Sequence, residues 1–272
     1  MRALLKVGFT LLLIAFLLIG VSYSMLRAHG TNGPSNPGGR LLTTEHRTLA
    51  QPVAKVDLSG PVNLTLRQGP TPALEVRGEQ RLLANIDTTV DGDMLHIGPR
   101  GILLRHRTPI EVTVTLPSLE SLSINGSGEH TVSGFAGDHL DVALDGSGSM
   151  RFNGRYREIM AAIHGSGDME LTGGTSDKVD AAVIGSGRLT LVGSTRALHA
   201  ELRGSGDLDA RHLRADEVDL AQEGSGDSAV YARKRLHADL TGSGEARVFG
   251  NPDERSVSRN GSATVSFDDK RD

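Results

Sequence analysis

Gly-Ser-Gly recurs seven times in this chain: Gly126-Ser127-Gly128, Gly146-Ser147-Gly148, Gly165-Ser166-Gly167, Gly185-Ser186-Gly187, Gly204-Ser205-Gly206, Gly224-Ser225-Gly226 and Gly242-Ser243-Gly244. A degraded eighth copy stands at Gly261-Ser262. Successive starts lie 20, 19, 20, 19, 20, 18 and 19 residues apart. A fixed period of this size over half a chain marks a repeat architecture. A unit this short cannot bury an apolar face alone, so each must be one turn of a stacked solenoid.

Aligned on the first glycine, the copies sort apolar residues into columns. Two residues before it stand Ile124, Leu144, Ile163, Val183, Leu202 and Leu240. Four before it stand Leu122, Val142, Ala161, Ala181, Ala200, Leu220 and Ala238, and six before it Leu140, Ile159, Val179, Leu198, Val218 and Leu236. This period of two describes a strand with one buried face. Past the corner the alternation resumes with Met150 and Phe152, Met169 and Leu171, and Leu189 and Leu191. Each coil thus reads as strand, Gly-Ser-Gly corner, second strand, and a looser turn such as Asn153-Gly154 or Gly173-Gly174.

The corner glycines accept positive φ and leave room for the next coil. The serines between them would stack as a ladder at about 4.8 Å, a column in which a bulky side chain is expected to collide. The expected fold is an all-β parallel β-helix of about eight ~20-residue coils, some 35 Å long, right-handed by the crossover preference. From residue 45 to 117 strands continue without the corner, among them Val62, Leu64 and Leu66, and a hairpin turns at Asp91-Gly92-Asp93. This segment is expected to pack as a β-rich cap across the open first coil. The repeats then run from 118 to 267, and residues 268–272 form a charged tail that discourages end-to-end pairing.

Arg2 and Lys6 precede an apolar run ending at Leu26. Residues 1–26 read either as a signal peptide or as a transmembrane anchor, and in both cases the positive charge ahead of the run exports the remainder of the chain. Residues 27–44 read as a flexible linker. Localisation is therefore expected on the periplasmic side of an inner membrane, or free after cleavage. The chain has no cysteine, which excludes disulfides, thiolate chemistry and a lipid anchor on cysteine. The net charge is −4 with the signs interspersed, and no basic patch stands out, so nucleic acid is not an expected partner.

The segments VDLSGPVNLTLRQG (residues 56–69), DGDMLHI (91–97) and IEVTVTLPSLESLSINGSGEHTVSG (110–134), together with the later Gly-Ser-Gly units, resemble the head-domain family of auto-transporter adhesins known as the GIN domain. The resemblance covers residues 45–267. It implies a bacterial envelope domain of β-helical fold, with no family catalytic residues to carry over. The chain's ending lacks the alternating aromatic-rich strands of a translocator barrel, so self-translocation is not expected.

Three constellations invite chemistry. The column after the corner holds Glu129, Ser149, Asp168, Arg188, Asp207, Asp227 and Glu245. Its acids, Glu129, Asp168, Asp207, Asp227 and Glu245, would form a stripe attractive to divalent cations or basic partners, but isolated carboxylates make a poor cage and Arg188 interrupts them. The column five residues before the corner places His199 between Asp180 and Asp219 on adjacent coils, the residue types of a zinc site. Outward side chains on a flat sheet do not converge, however, so surface hydrogen bonding is the expected use. Seven equivalent serines argue for structure, because nucleophilic catalysis needs one serine activated by an oriented base.

No catalytic, cofactor-binding or metal residue is therefore expected, and no cofactor. The function expected is a non-catalytic, adhesin-like or scaffolding envelope module that binds a polymer, a protein or its own copies through the solenoid faces. The alternative is a polysaccharide-active β-helical lyase or hydrolase. That reading needs a cleft walled by long loops with aromatic platforms, whereas the coil length varies by only two residues.

Overall fold

A computed structural model describes residues 41–49, 51–101 and 108–268. The 1–26 segment and most of the linker lie outside these residues, as does the tail beyond Asp268. No helix among the described residues is long and apolar enough to cross a membrane.

Each repeat folds as one bent strand running from corner to corner. These are β9 (Glu129–Gly146), β10 (Ser149–Gly165), β11 (Asp168–Gly185), β12 (Arg188–Gly204), β13 (Asp207–Gly224) and β14 (Ser228–Gly242). The stack closes with β15 (Glu245–Phe249), β16 (Glu254–Gly261) and β17 (Thr264–Asp268). All neighbours pair in parallel, and the first glycines align from Gly126 through Gly146 and Gly165 to Gly261. The looser turns do not break the strands as expected. They survive inside them as register shifts, for example between Asn153 and Gly154 of β10 against β9, after which the backbone ladder resumes. Eight corners bound about seven turns, not eight.

The region before the repeats departs from a cap laid across the end. Here β2 (Lys55–Gly60) is a full member of the stack, hydrogen-bonded in parallel to β8 (Ser121–Gly126) and to β6 (Met94–Pro99). Likewise β3 (Val62–Gln68) lies parallel to both β7 (Ile110–Leu116) and β9. An early segment is thus inserted between two later ones, and Gly60 begins the glycine column beneath Gly126. Among the described residues only the outer strands run antiparallel: β4 (Ala73–Glu79) on β7, β5 (Ile86–Asp91) on β6, and β1 (Leu42–Arg47) on β4. A single helical turn, α1 (Gln80–Leu83), buries Leu82 and Leu83 beside them. The expected linker therefore ends earlier than residue 44, since Leu42 already pairs with Glu79.

The apolar columns form one continuous buried core. Phe135, Phe152 and Tyr156 are its largest side chains, and the Tyr156 hydroxyl donates to the Leu119 carbonyl at 2.7 Å. Burial beside Glu120 holds that phenol well above its ordinary pKa. Among the described residues the buried polar side chains are Glu79, His130, Ser176, Thr195, Gln222 and Ser228. His130 stands between Leu64 and Met150, while Gln222 and Ser228 face each other on one coil.

Candidate functional site

The Gly-Ser-Gly corner is the most regular feature, and its geometry is structural. From Gly146 to Gly242 the first glycines hold φ between +115° and +130°, for example +122° at Gly165 and +125° at Gly185. A Cβ on Gly185 would meet the Gly165 carbonyl oxygen at 2.4 Å, and one on Gly187 would meet that of Gly167 at the same distance. Between them the Ser186 N–H donates to the Gly165 carbonyl at 2.8 Å, a bond repeated up the stack. The serine side chains are exposed at every corner, and Ser205 and Ser225 hydrogen-bond at 3.1 Å. The expected restriction on side-chain size therefore falls on the glycines, which face backbone, and not on the serines, which face solvent.

The acidic stripe is engaged locally. Arg188 donates to Asp207 at 2.8 Å, and the Asp227 carboxylate accepts the backbone N–H of Glu245 at 3.0 Å. Asp207 accepts the N–H of Asp227 in the same manner at 3.4 Å. Glu245 is held below the usual carboxylate range, first by Arg247 and then by the Ser266 hydroxyl. At the start of the stripe the Glu129 N–H donates to the Asn63 side-chain oxygen at 3.0 Å. Asp207 and Asp227 replace ladder bonds from one corner to the next, so the stripe is not an array free to hold ions. Asp168 faces Arg188 in register on the adjacent coil.

On the sheet before the corner the expected His-Asp neighbours are adjacent but not convergent. His199 lies 3.3 Å from Asp219, whereas Asp180 is taken by Lys178 at 2.8 Å. Further pairs cover this face: His164 with Asp145 at 2.9 Å, His237 with Asp239 at 3.2 Å, and His96 with Asp57 at 3.0 Å. No group of three His, Cys, Asp or Glu that could hold a metal is found among the described residues. Two shallow grooves of about 380 and 370 Å³ run along this face, one beside His237 and Arg235, the other over Ala162 and Ala182.

A third groove, of about 630 Å³, lies at the looser turn and has no counterpart among the sequence columns. Here Thr175, Ser194, Arg214, Tyr231 and Phe249 occupy one line on five successive coils. β13 carries three residues more than β14 at this point, Arg211, His212 and Leu213, between the pairs Ala210–Val230 and Arg214–Tyr231. Leu213 turns into the core, while Arg211 and His212 stay outside on a bulge beside the shorter coil. Arg211 is fixed by Asp209 at 2.8 Å and lies 5.9 Å from the centre of the Phe249 ring. Bare backbone forms the other side, since a Cβ on Gly193 would strike the Gly174 oxygen at 2.4 Å.

Sequence columns anchored on Gly-Ser-Gly lose register at the looser turn, and the groove is invisible to them for that reason. The one trace is the fall in repeat spacing from 20 to 18 after Gly224. Most basic side chains around this turn are paired with acids. Arg211 is tied to Asp209, Arg233 and Lys234 to Asp216, and Arg235 to Glu217, which leaves Arg214 without a carboxylate partner among the described residues.

Residues 53–252 match the family described as "Putative auto-transporter adhesin, head GIN domain". Among solved structures, a "putative adhesin" from Parabacteroides distasonis is similar at 21% identity and TM-score 0.79, over 85% of this chain and 98% of that one. A "putative lipid binding protein" from the same organism aligns at 23% identity and TM-score 0.79, over 87% and 98%. A "putative adhesin" from Parabacteroides merdae aligns at 19% and 0.79, over 85% and 98%. At these identities the structures share the fold alone. No curated protein matches the chain.

Proposed function

This chain belongs to the auto-transporter adhesin head, GIN domain family, and from that premise we propose that it is an exported, non-catalytic envelope module that binds through the outside of its solenoid. The observation that carries the reading is the way the pre-corner sheet uses its ionisable groups. His164, His199 and His237 are each held by a carboxylate on the same or a neighbouring coil, and Lys178 by Asp180. Such a surface offers many equivalent weak contacts along an extended face, the usual mode of solenoid recognition. Catalysis asks instead for one activated group beside one binding cleft.

Residues 1–26 would export the domain, and as a retained anchor would hold it at the inner membrane. The intact mass of the protein from fractionated cells tests this: a chain starting at Met1 in the membrane fraction supports the anchor, and one cut near residue 24 in the soluble fraction supports release. For the function itself, the full chain should bind isolated envelope fragments saturably and leave uronic-acid polymers uncut. Release of new sugar ends from such polymers would replace this reading with the polysaccharide-active one.

A further inference from the structure

We propose that the groove at the looser turn is a binding site for an acidic polysaccharide, a linear glycan bearing carboxylates. The inference deepens the binding function proposed for the solenoid and rests on it. Accessible aromatic rings are rare in this chain, which has only 3% aromatic residues. Tyr231 and Phe249 are both half-exposed and stand on adjacent coils, lining the same groove. An aromatic face flanked by cations is a surface for the C–H face of a sugar ring that also carries negative charge.

The charges fit the same ligand. Many arginines on this molecule are tied to a carboxylate, as Arg188 is to Asp207 and Arg77 to Glu111. Arg214 is exposed and engages no carboxylate among the described residues, and neither does His212 beside it. A free guanidinium presents paired N–H donors in the geometry a carboxylate accepts. The groove lining carries Arg211 and Arg214 and no carboxylate, so an acidic chain meets positive charge at this place. Thr175 and Ser194, hydrogen-bonded to each other at 3.1 Å, supply hydroxyls opposite the hydroxyls of a sugar.

Length favours a polymer over a single headgroup. The line from Thr175 to Phe249 crosses five coils spaced about 4.8 Å apart, close to the advance per residue of an extended pyranose chain. Successive sugars would therefore meet successive coils in one register.

Titration of the full chain with polygalacturonate, with neutral dextran as the uncharged control, tests the assignment. The expected result is binding to polygalacturonate alone, weakening as salt is raised. Arg214→Gln and Tyr231→Ala should each lower the affinity about tenfold or more, while Arg77→Gln on β4 leaves it unchanged. Equal affinity of both groove variants and the parent would overturn the assignment, as would tighter binding to single-stranded DNA or to vesicles of anionic lipid. Loss of polygalacturonate binding with retained binding to envelope fragments sinks this inference alone. Failure to bind either sinks the binding function beneath it as well.

Discussion

Gly185 sits over Gly165 so closely that a methyl group on Gly185 would lie 2.4 Å from the Gly165 carbonyl oxygen, at a φ of +125°. Both the contact and the backbone angle exclude a side chain. Gly185→Ala should therefore cost about 2–4 kcal/mol, combining positive-φ strain with a forced separation of coils. Ser186→Leu, one residue on, should change stability by no more than about 0.5 kcal/mol because its side chain points to solvent. Urea denaturation of the two variants beside the parent distinguishes glycine packing from serine packing as the source of the repeat.

His130 is buried against Leu64 and Met150, and neither ring nitrogen has a hydrogen-bond partner among the described residues. Burial lowers its pKa from 6.5 to about 4. Between these values the unfolded chain binds a proton that the folded chain refuses. The associated stability is thus complete above pH 6.5 and lost as pH falls toward 4, a drop of up to about 3 kcal/mol. His130→Met, matching the methionines above it, should raise stability at pH 7 and flatten this acid slope. An unchanged slope in melting temperature between pH 7 and pH 4.5 would show that other groups carry it.

Gln222 occupies a column otherwise filled by Leu202 and Leu240, and it is buried only because its polar atoms are satisfied. Its amide donates to the Gly226 carbonyl at 2.6 Å, and its oxygen accepts the Ser228 hydroxyl at 2.7 Å. Ser228→Ala should cost about 1–3 kcal/mol by leaving that oxygen unpaired in the core. In a double-mutant cycle with Gln222→Leu the two losses should fall short of additivity by about 1 kcal/mol. Additive losses would mean the two side chains act independently.

The last coil ends the stack by changing the chemistry of its inward positions. Arg255 and Arg259 stand in register with Leu236 and Leu240, and Arg255 lies 4.6 Å from the centre of the Phe267 ring. An apolar end here would template another solenoid through the free edge of β16. Changing Arg255 and Arg259 together to Leu should therefore produce concentration-dependent dimers in sedimentation velocity, whereas the parent chain shows none through this end. A variant that sediments like the parent would place the protection elsewhere.

The period, the buried columns and the corner were legible in the sequence because each depends on residues a fixed distance apart. Ile163, Val183 and Leu202 announce their shared environment by position alone. Gln222 escapes notice in the same column because its partner Ser228 stands in a different column, so each reads alone as an isolated polar exception. The insertion of β2 and β3 between later strands was equally hidden. Val56-Asp57-Leu58-Ser59-Gly60 carries the apolar alternation and first glycine of the corner, but Pro61 and Val62 replace its serine and second glycine, and a single copy has no period to reveal it.

What the sequence determined by itself was therefore everything that repeats: parallel coils of near-constant length, aliphatics inside, and glycine where backbone meets backbone. Periodicity encodes these because every coil must satisfy the same neighbour contacts at the same spacing. What only the tertiary structure decided was everything that breaks the repeat. The joining of Arg214, Tyr231 and Phe249 into one groove depends on a three-residue bulge in one coil against the next, and the start of the stack depends on a pairing between Gly60 and Gly126, far apart in the chain. Such contacts are set by which strands stack, a property of the closed ladder that no local spacing records.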